Sequence, residues 1–334
     1  VTDPMLLDVR GLRIVLRQRD RDVVAVSNVD LEVGRGEILG LVGESGSGKS
    51  LSMLAALGLL PRSAKVDGSV RLAGQELIGL RERDMRRIRG KRIGMIFQDP
   101  MTALDPVMTV GAQIVETIRL HEPDLSRRAA RRRAVDLLGQ VAIASPEQRL
   151  DQYPHEFSGG MRQRVVIAMA IANDPELLIA DEPTTALDVT IQAQIVELLD
   201  RLRHERRLGL VLITHDLGLV AGLADRVTIL YSGRIVERGP VLDVFAEPRH
   251  PYTRGLLKAM PSSDETLDRL VAIEGTPPSP AGRPSGCAFH PRCPMAIDPC
   301  VSDEPSFRWF GAGMAACHRA HELEPHRQEV VHAR

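Results

Sequence analysis

Eight consecutive residues, Gly43-Glu44-Ser45-Gly46-Ser47-Gly48-Lys49-Ser50, fit the pattern G-x-x-x-x-G-K-[ST] without a mismatch. Glycines at these places let a backbone wrap around phosphate oxygens with successive N–H groups pointing inward, and a helix N-terminus behind the loop adds unsatisfied donors. Lys49 then supplies a point charge for the β- and γ-phosphates, and the Ser50 hydroxyl is suited to Mg²⁺. The flanks agree with that use. Ile38-Leu39-Gly40-Leu41-Val42 reads as a buried strand entering the loop, and residues 51–57 read as the first turns of a helix. The chain has four lysines, Lys49, Lys65, Lys91 and Lys258, so the lysine of the loop was not drawn from a crowd.

A second apolar run, Leu177-Leu178-Ile179-Ala180, ends in Asp181-Glu182. A strand buried on both faces of a parallel sheet has this composition, and ligand groups sit just past its carboxyl end. Asp181 is placed to hold Mg²⁺ and Glu182 to polarise an attacking water, which is what phosphoryl transfer to water asks of a protein. A third run, Leu210-Val211-Leu212-Ile213, leads to Thr214-His215-Asp216, so His215 is expected at the same sheet edge, near a γ-phosphate.

Phe157-Ser158-Gly159-Gly160-Met161-Arg162-Gln163-Arg164 resembles the signature of the ABC ATPases, usually written L-S-G-G-Q. The helix-like run 161–172 behind it makes Ser158, Gly159 and Gly160 another helix start suited to an anion. Gln98, in Phe97-Gln98-Asp99-Pro100, resembles that family's Q-loop, and Ala186-Leu187-Asp188 its D-loop. The resemblance covers residues 6–261. It implies an α/β fold: a P-loop nucleotide-binding domain with a RecA-like core, an antiparallel β subdomain and a helical insertion. The expected divisions are residues 1–98 and 165–261 for the core with its β subdomain, 99–164 for the helical subdomain, and 262–334 for a C-terminal extension. It also implies ATP and Mg²⁺ as ligands, with residues 43–50 and Gln98 on the nucleotide. Ser50, Gln98 and Asp181 fall to the metal, Glu182 and His215 to catalysis. Ser158, Gly159 and Gly160 would meet the ATP held by a second subunit.

One feature of the family is missing. Its members stack the adenine on an aromatic residue ahead of the phosphate loop, and here no Phe, Tyr or Trp precedes Phe97. A guanidinium plane can replace a ring, so Arg19 or Arg21, with Val26 beneath, is expected at the adenine.

The 334 residues are 43% hydrophobic with a net charge of −1, the composition of a folded, soluble protein and not of a polyanion binder. No run of eighteen apolar residues exists and no signal peptide is visible. Residues 110–118 read as a helix of the insertion. The cluster Ser126-Arg127-Arg128-Ala129-Ala130-Arg131-Arg132-Arg133 reads as a solvated helix face, because acidic residues balance it over the chain and no aromatics interleave. Further on, Pro248-Arg249-His250-Pro251-Tyr252-Thr253-Arg254-Gly255-Leu256-Leu257 with Met260-Pro261 resembles the C-terminal mark of oligopeptide and dipeptide importer ATPases. Residues 98–106 are similar to that group's Q-loop region. The His-Pro-Tyr segment itself reads as a rigid connector without chemistry.

All four cysteines, Cys287, Cys293, Cys300 and Cys317, lie in the last fifty residues with gaps of five, six and sixteen. The surrounding segment is rich in Pro and Gly and poor in apolar residues, so a cross-link is expected to order it. Zinc, an iron–sulfur cluster and free thiols all fit four cysteines, although the spacing lacks the tight C-x₂₋₄-C pairs of structural zinc sites. A reducing compartment disfavours disulfides. The resemblance to peptide importer ATPases implies a [4Fe–4S] cluster, with His290 and His318 flanking the ligands.

The resemblance further implies a peripheral protein on the cytoplasmic face of the inner membrane. It would pair with a second ATPase subunit, dock on two integral membrane permease subunits, and serve an extracytoplasmic substrate-binding protein, with no nucleic acid. Similar machinery carries nickel, glutathione or oligosaccharides, and a soluble ABC ATPase acting on nucleic acid or ribosomes is the rival class.

Overall fold

The computed structural model describes residues 5–17, 21–185, 187–260 and 272–323. Arg19, Ala186 and Pro261, each named in an expectation above, lie outside the described residues. The chain divides into two compact units, one drawing on Val33–Glu37 and Gly79–Val211, the other on Leu7–Glu32, Ile38–Ile78 and the chain from Leu212 onward.

In the first unit, strand Ile93–Ile96 runs parallel to Leu177–Asp181, with Ile93 opposite Leu177 and Ile96 opposite Ala180. Every residue of Leu177–Asp181 is buried, as the unbroken apolar run predicts. Four helices follow the capping rule closely. Thr109, Ser126, Ser158 and Asp188 stand before Val110–His121, Arg127–Gln140, Gly159–Ala170 and Val189–Arg206, and each side chain accepts a backbone N–H three residues on. The arginine cluster lies on the helix Arg127–Gln140, whose Ala130, Ala134, Leu137 and Leu138 are buried while Arg127, Arg128, Arg131 and Arg132 are exposed. Arg131 forms a two-pronged pair with Asp151 at 3.0 and 2.7 Å. Phe157, in the place where the signature usually has Leu, is a buried core residue with the Arg149 guanidinium over its ring.

The second unit holds an antiparallel sheet in the order Asp22–Val33, Leu7–Arg17, Ala64–Leu72, Gln75–Glu76. It also holds strand Ile38–Val42 parallel to Arg226–Tyr231, which pairs antiparallel with Arg234–Pro240. The C-terminal extension differs from its expected character. Strand Gly313–Ala315 pairs with Arg234–Pro240, and Arg308–Phe310 pairs with Gly313–Ala315. Phe289, 2% exposed, packs among Tyr231 and Tyr252 in an apolar core. Backbone pairing and one buried ring therefore anchor this segment alongside anything its cysteines do.

Candidate functional site

The phosphate loop lies in the second unit, between the wholly buried strand Ile38–Val42 and the helix Lys49–Ala56. Gly43 and Gly48 are required by geometry. A side chain at Gly43 would meet the Leu230 carbonyl at 2.2 Å, and Gly48, the residue before the helix, has φ +102°. Lys49 is 5% exposed, and its ammonium donates to the carbonyls of Gly43 at 2.6 Å and Glu44 at 3.0 Å. It is thus held across the mouth of the loop. The far side is fixed by Gly233, whose N–H donates to the Ser47 carbonyl. Ser45 and Gly46 are exposed, and Ser50 opens the helix half-buried.

Two contacts to this loop come from sequence far away. The Glu44 N–H donates to the Tyr252 hydroxyl at 2.9 Å, so the His-Pro-Tyr segment is more than the connector expected from its sequence. His250 caps the helix Pro251–Lys258 by accepting the Tyr252 N–H, and Pro251 takes the first helical position. That cap aims the Tyr252 ring inward against Tyr231, with centroids 4.7 Å apart. The Glu44 carboxylate, in turn, is gripped by Arg292 at 2.7 and 3.0 Å. No local motif signals either contact.

In the first unit, Asp181 ends its strand at 7% exposure, and Glu182 follows in the left-handed region at φ +48°. For a glutamate this is a strained conformation, of the kind concentrated at functional sites. Its carboxylate accepts the Gln98 amide at 3.0 Å and the Thr185 hydroxyl at 2.9 Å. Gln98 is exposed. Ser158 and Gly159 are also exposed, with the Ser158 hydroxyl accepting the Met161 N–H at 3.4 Å. Gly160 is buried, and a side chain there would meet Ile191 at 2.7 Å, whereas at Gly159 the nearest atom is 3.7 Å away. The two signature glycines thus answer to different constraints. His215, in the second unit's stretch of chain, follows strand Gly209–Thr214 and is exposed. Arg21 is exposed just ahead of strand Asp22–Val33, in which Val26 is buried.

The four cysteines form no disulfide and line one small cavity together with His250, Phe289 and His318. The Cys287 N–H donates to the Cys300 carbonyl, tying two of the loops together. Burial, and then the mutual repulsion of the sulfurs, pushes Cys287 up to about 11 and Cys317 up to about 12, so each is a neutral thiol unless cationic charge enters the cavity. Among the described residues no group of three or more His, Cys, Asp or Glu side chains is arranged to hold a metal ion. His290 donates from Nδ1 to the Cys287 carbonyl and His318 from Nε2 to the Asp303 carbonyl, at 3.0 and 2.9 Å.

Comparison with known proteins agrees with this layout. Residues 26–185 match the ABC transporter family, and residues 236–300 match the oligopeptide/dipeptide transporter C-terminal region. The oligopeptide transport ATP-binding protein OppD of Mycobacterium tuberculosis is 53% identical over 316 residues, covering 94% of this chain and 51% of its own length. The chain therefore spans about half the length of that relative. A putative peptide import ATP-binding protein of Brucella abortus is 50% identical over 313 residues, with 93% and 94% covered. Among solved structures, the ATP-binding cassette MJ0796 in a post-hydrolysis dimer with ADP and Pi is 27% identical. Its TM-score is 0.63, and the match covers 70% of this chain and 98% of that one. The cbiO1 protein of Clostridium perfringens, part of the ABC transporter complex cbiONQ, is also 27% identical with TM-score 0.61, covering 73% and 91%. The chain belongs to the ABC transporter ATP-binding family, in its oligopeptide/dipeptide branch.

Proposed function

We propose that this chain binds and hydrolyses ATP to drive an importer of oligopeptides or dipeptides. The observation that carries the reading is the pairing of a complete phosphate loop with the branch-specific C-terminal region whose Tyr252 reaches that loop. Residues 43–50 cradle the phosphates, and Ser50, Gln98 and Asp181 serve Mg²⁺. Glu182 polarises water and His215 meets the γ-phosphate. Ser158, Gly159 and Gly160 face the ATP of a second ATPase subunit, identical or different. Arg21 supplies the plane on which the adenine rests. Phosphate contacts across the pair close it and hydrolysis reopens it, which biases a two-state element in the membrane partners. Residues 1–98 with 165–261, then 99–164, then 262–334 are the proposed divisions of labour.

Two integral membrane subunits and an extracytoplasmic binding protein complete the assembly, with this chain on the cytoplasmic face. Support for a docking face comes from the first unit. A groove of about 680 Å³ lined by Met108, Val115, Leu120, Arg127 and Arg131 adjoins the exposed Val107. No helix among the described residues is long and apolar enough to cross a membrane.

The cysteine cavity takes a [4Fe–4S] cluster in this reading. What supports this reading is that all four cysteines of the chain line one cavity. Such a group, when bound, cross-links loops 287–300 and 317 and stabilises their thiolates.

Uptake of a labelled peptide into proteoliposomes containing the chain and its membrane partners tests the main reading. Uptake should require ATP and vanish in Lys49→Ala. Transport that continues in Lys49→Ala, or a chain that never co-purifies with membrane proteins, would overturn it.

A further inference from the structure

Arg292 stands one residue before Cys293, in the extension, yet its side chain ends on the phosphate loop. Nη1 donates to one oxygen of Glu44 at 2.7 Å and Nη2 to the other at 3.0 Å. The arginine side chain is 6% exposed and the glutamate 26%. Three further bonds fix the guanidinium: to the Glu274 carbonyl at 2.9 Å, the Ile273 carbonyl at 3.3 Å and the Tyr231 hydroxyl at 3.3 Å. It also lies over the rings of Tyr231 and Phe289, 5.8 and 5.9 Å from their centroids. A guanidinium so constrained has lost its freedom before it meets the carboxylate, and a forked charge-assisted pair fixes direction as well as distance.

Glu44 is the second residue of the loop, and each of its polar groups is committed. Its N–H goes to Tyr252, its carboxylate to Arg292, and its carbonyl accepts both the Lys49 ammonium and the Ser47 N–H. Turning the Glu44 peptide therefore moves the anchor of the lysine that binds phosphate. The physical path runs from Arg292 through Glu44 to Lys49, and all three lie in one compact unit.

From this geometry we propose that Arg292 is a positioning residue for nucleotide binding. It holds the Glu44 peptide so that Lys49 is presented to the phosphates, and it makes ATP affinity depend on the fold of the cysteine-bearing segment. The proposal rests on the reading of residues 43–50 as the ATP-binding loop.

The test is a double-mutant cycle on the full chain, reading the ATP dissociation constant by equilibrium titration. Glu44→Gln and Arg292→Gln should each weaken ATP binding roughly tenfold, and the double variant should be no weaker than either single one. Arg292→Lys, which keeps the charge and loses the fork, should fall between wild type and Arg292→Gln. A role confined to stability predicts a lower melting temperature for Arg292→Gln with unchanged affinity in the folded fraction, and that result overturns the proposal. So do additive effects of the two single variants. Should Arg292→Gln fail to fold, Glu44→Gln and Arg292→Lys decide the matter, since wild-type affinity in both is equally fatal. Lys49→Ala is the control for the underlying reading. If it binds ATP normally, the loop assignment has failed, which is a separate outcome from a failed cycle.

Discussion

Gln98 donates its side-chain amide to the Glu182 carboxylate across 3.0 Å, although 84 residues separate them in sequence. Thr185 donates to the same oxygen at 2.9 Å. A carboxylate held by two donors has a fixed direction, which matters more to a base that must line up a water than to one that only carries charge.

Removing the amide should therefore slow hydrolysis more than it weakens binding. Gln98→Ala is expected to lower ATP turnover by roughly ten- to a hundredfold, with a much smaller change in ATP affinity. Steady-state kinetics of the assembled transporter check this. An unchanged turnover number shows that Glu182 needs no orientation from Gln98.

The signature glycines separate fold from function. Gly159 has room for a methyl group, while Gly160 has Ile191 at 2.7 Å from where a side chain would begin. Gly160→Ala should cost on the order of 1–3 kcal/mol through overpacking. Gly159→Ala should leave the melting temperature within a degree or so while impairing ATP-dependent pairing of subunits. Thermal melts together with sedimentation in the presence of ATP read both effects.

Glu237 gives the second unit a pH signature. It is 2% exposed and accepts the N–H groups of Arg249 at 2.6 Å and His250 at 3.0 Å, yet burial pushes its carboxyl up to about 7. The folded state thus keeps a proton that the unfolded state releases near 4.5, so stability from this group falls as pH rises from 4.5 through 7. The loss amounts to something on the order of 3 kcal/mol. His250, held neutral by burial with its value near 3 against an ordinary 6.5, acts the opposite way and loses stability as pH falls below 6.5. Glu237→Gln isolates the first effect. The stability difference, wild type minus variant, should shrink as pH rises from 5 to 8, and a difference that is flat with pH contradicts the account.

The cysteine cavity makes a compositional prediction. Chain purified without oxygen should carry about four irons and as many acid-labile sulfides, with broad visible absorption. Any one of Cys287, Cys293, Cys300 or Cys317 changed to Ser should reduce the iron content. Zinc in place of iron, or no metal at all, removes the cluster from the account while leaving the ATPase family intact.

Much of this was legible in the sequence because it is local. The loop 43–50 needs eight residues in a row, and strand Ile38–Val42 and the carboxylates after Ala180 declare themselves by apolar runs a few residues long. The helix start at Ser158 shows itself as a serine and two glycines ahead of the helix-like run 161–172. The rest depends on approach between distant segments. Tyr252 reaches Glu44 across 208 residues and Arg292 reaches it across 248, with no spacing rule to announce either. Burial of Glu237 and the packing of Gly160 on Ile191 are likewise tertiary facts. The extension looked underfilled because its apolar residues are few. What it lacks in number it makes up by placing Phe289 into a core supplied by other strands and helices.

ATP turnover by Glu182→Gln, in the chain assembled with its partner subunits, decides whether Glu182 is the base. This variant should still bind ATP and accumulate closed ATP-bound complexes, with hydrolysis lower by at least about a hundredfold. Turnover near the wild-type rate would contradict that role, because the base would then lie elsewhere.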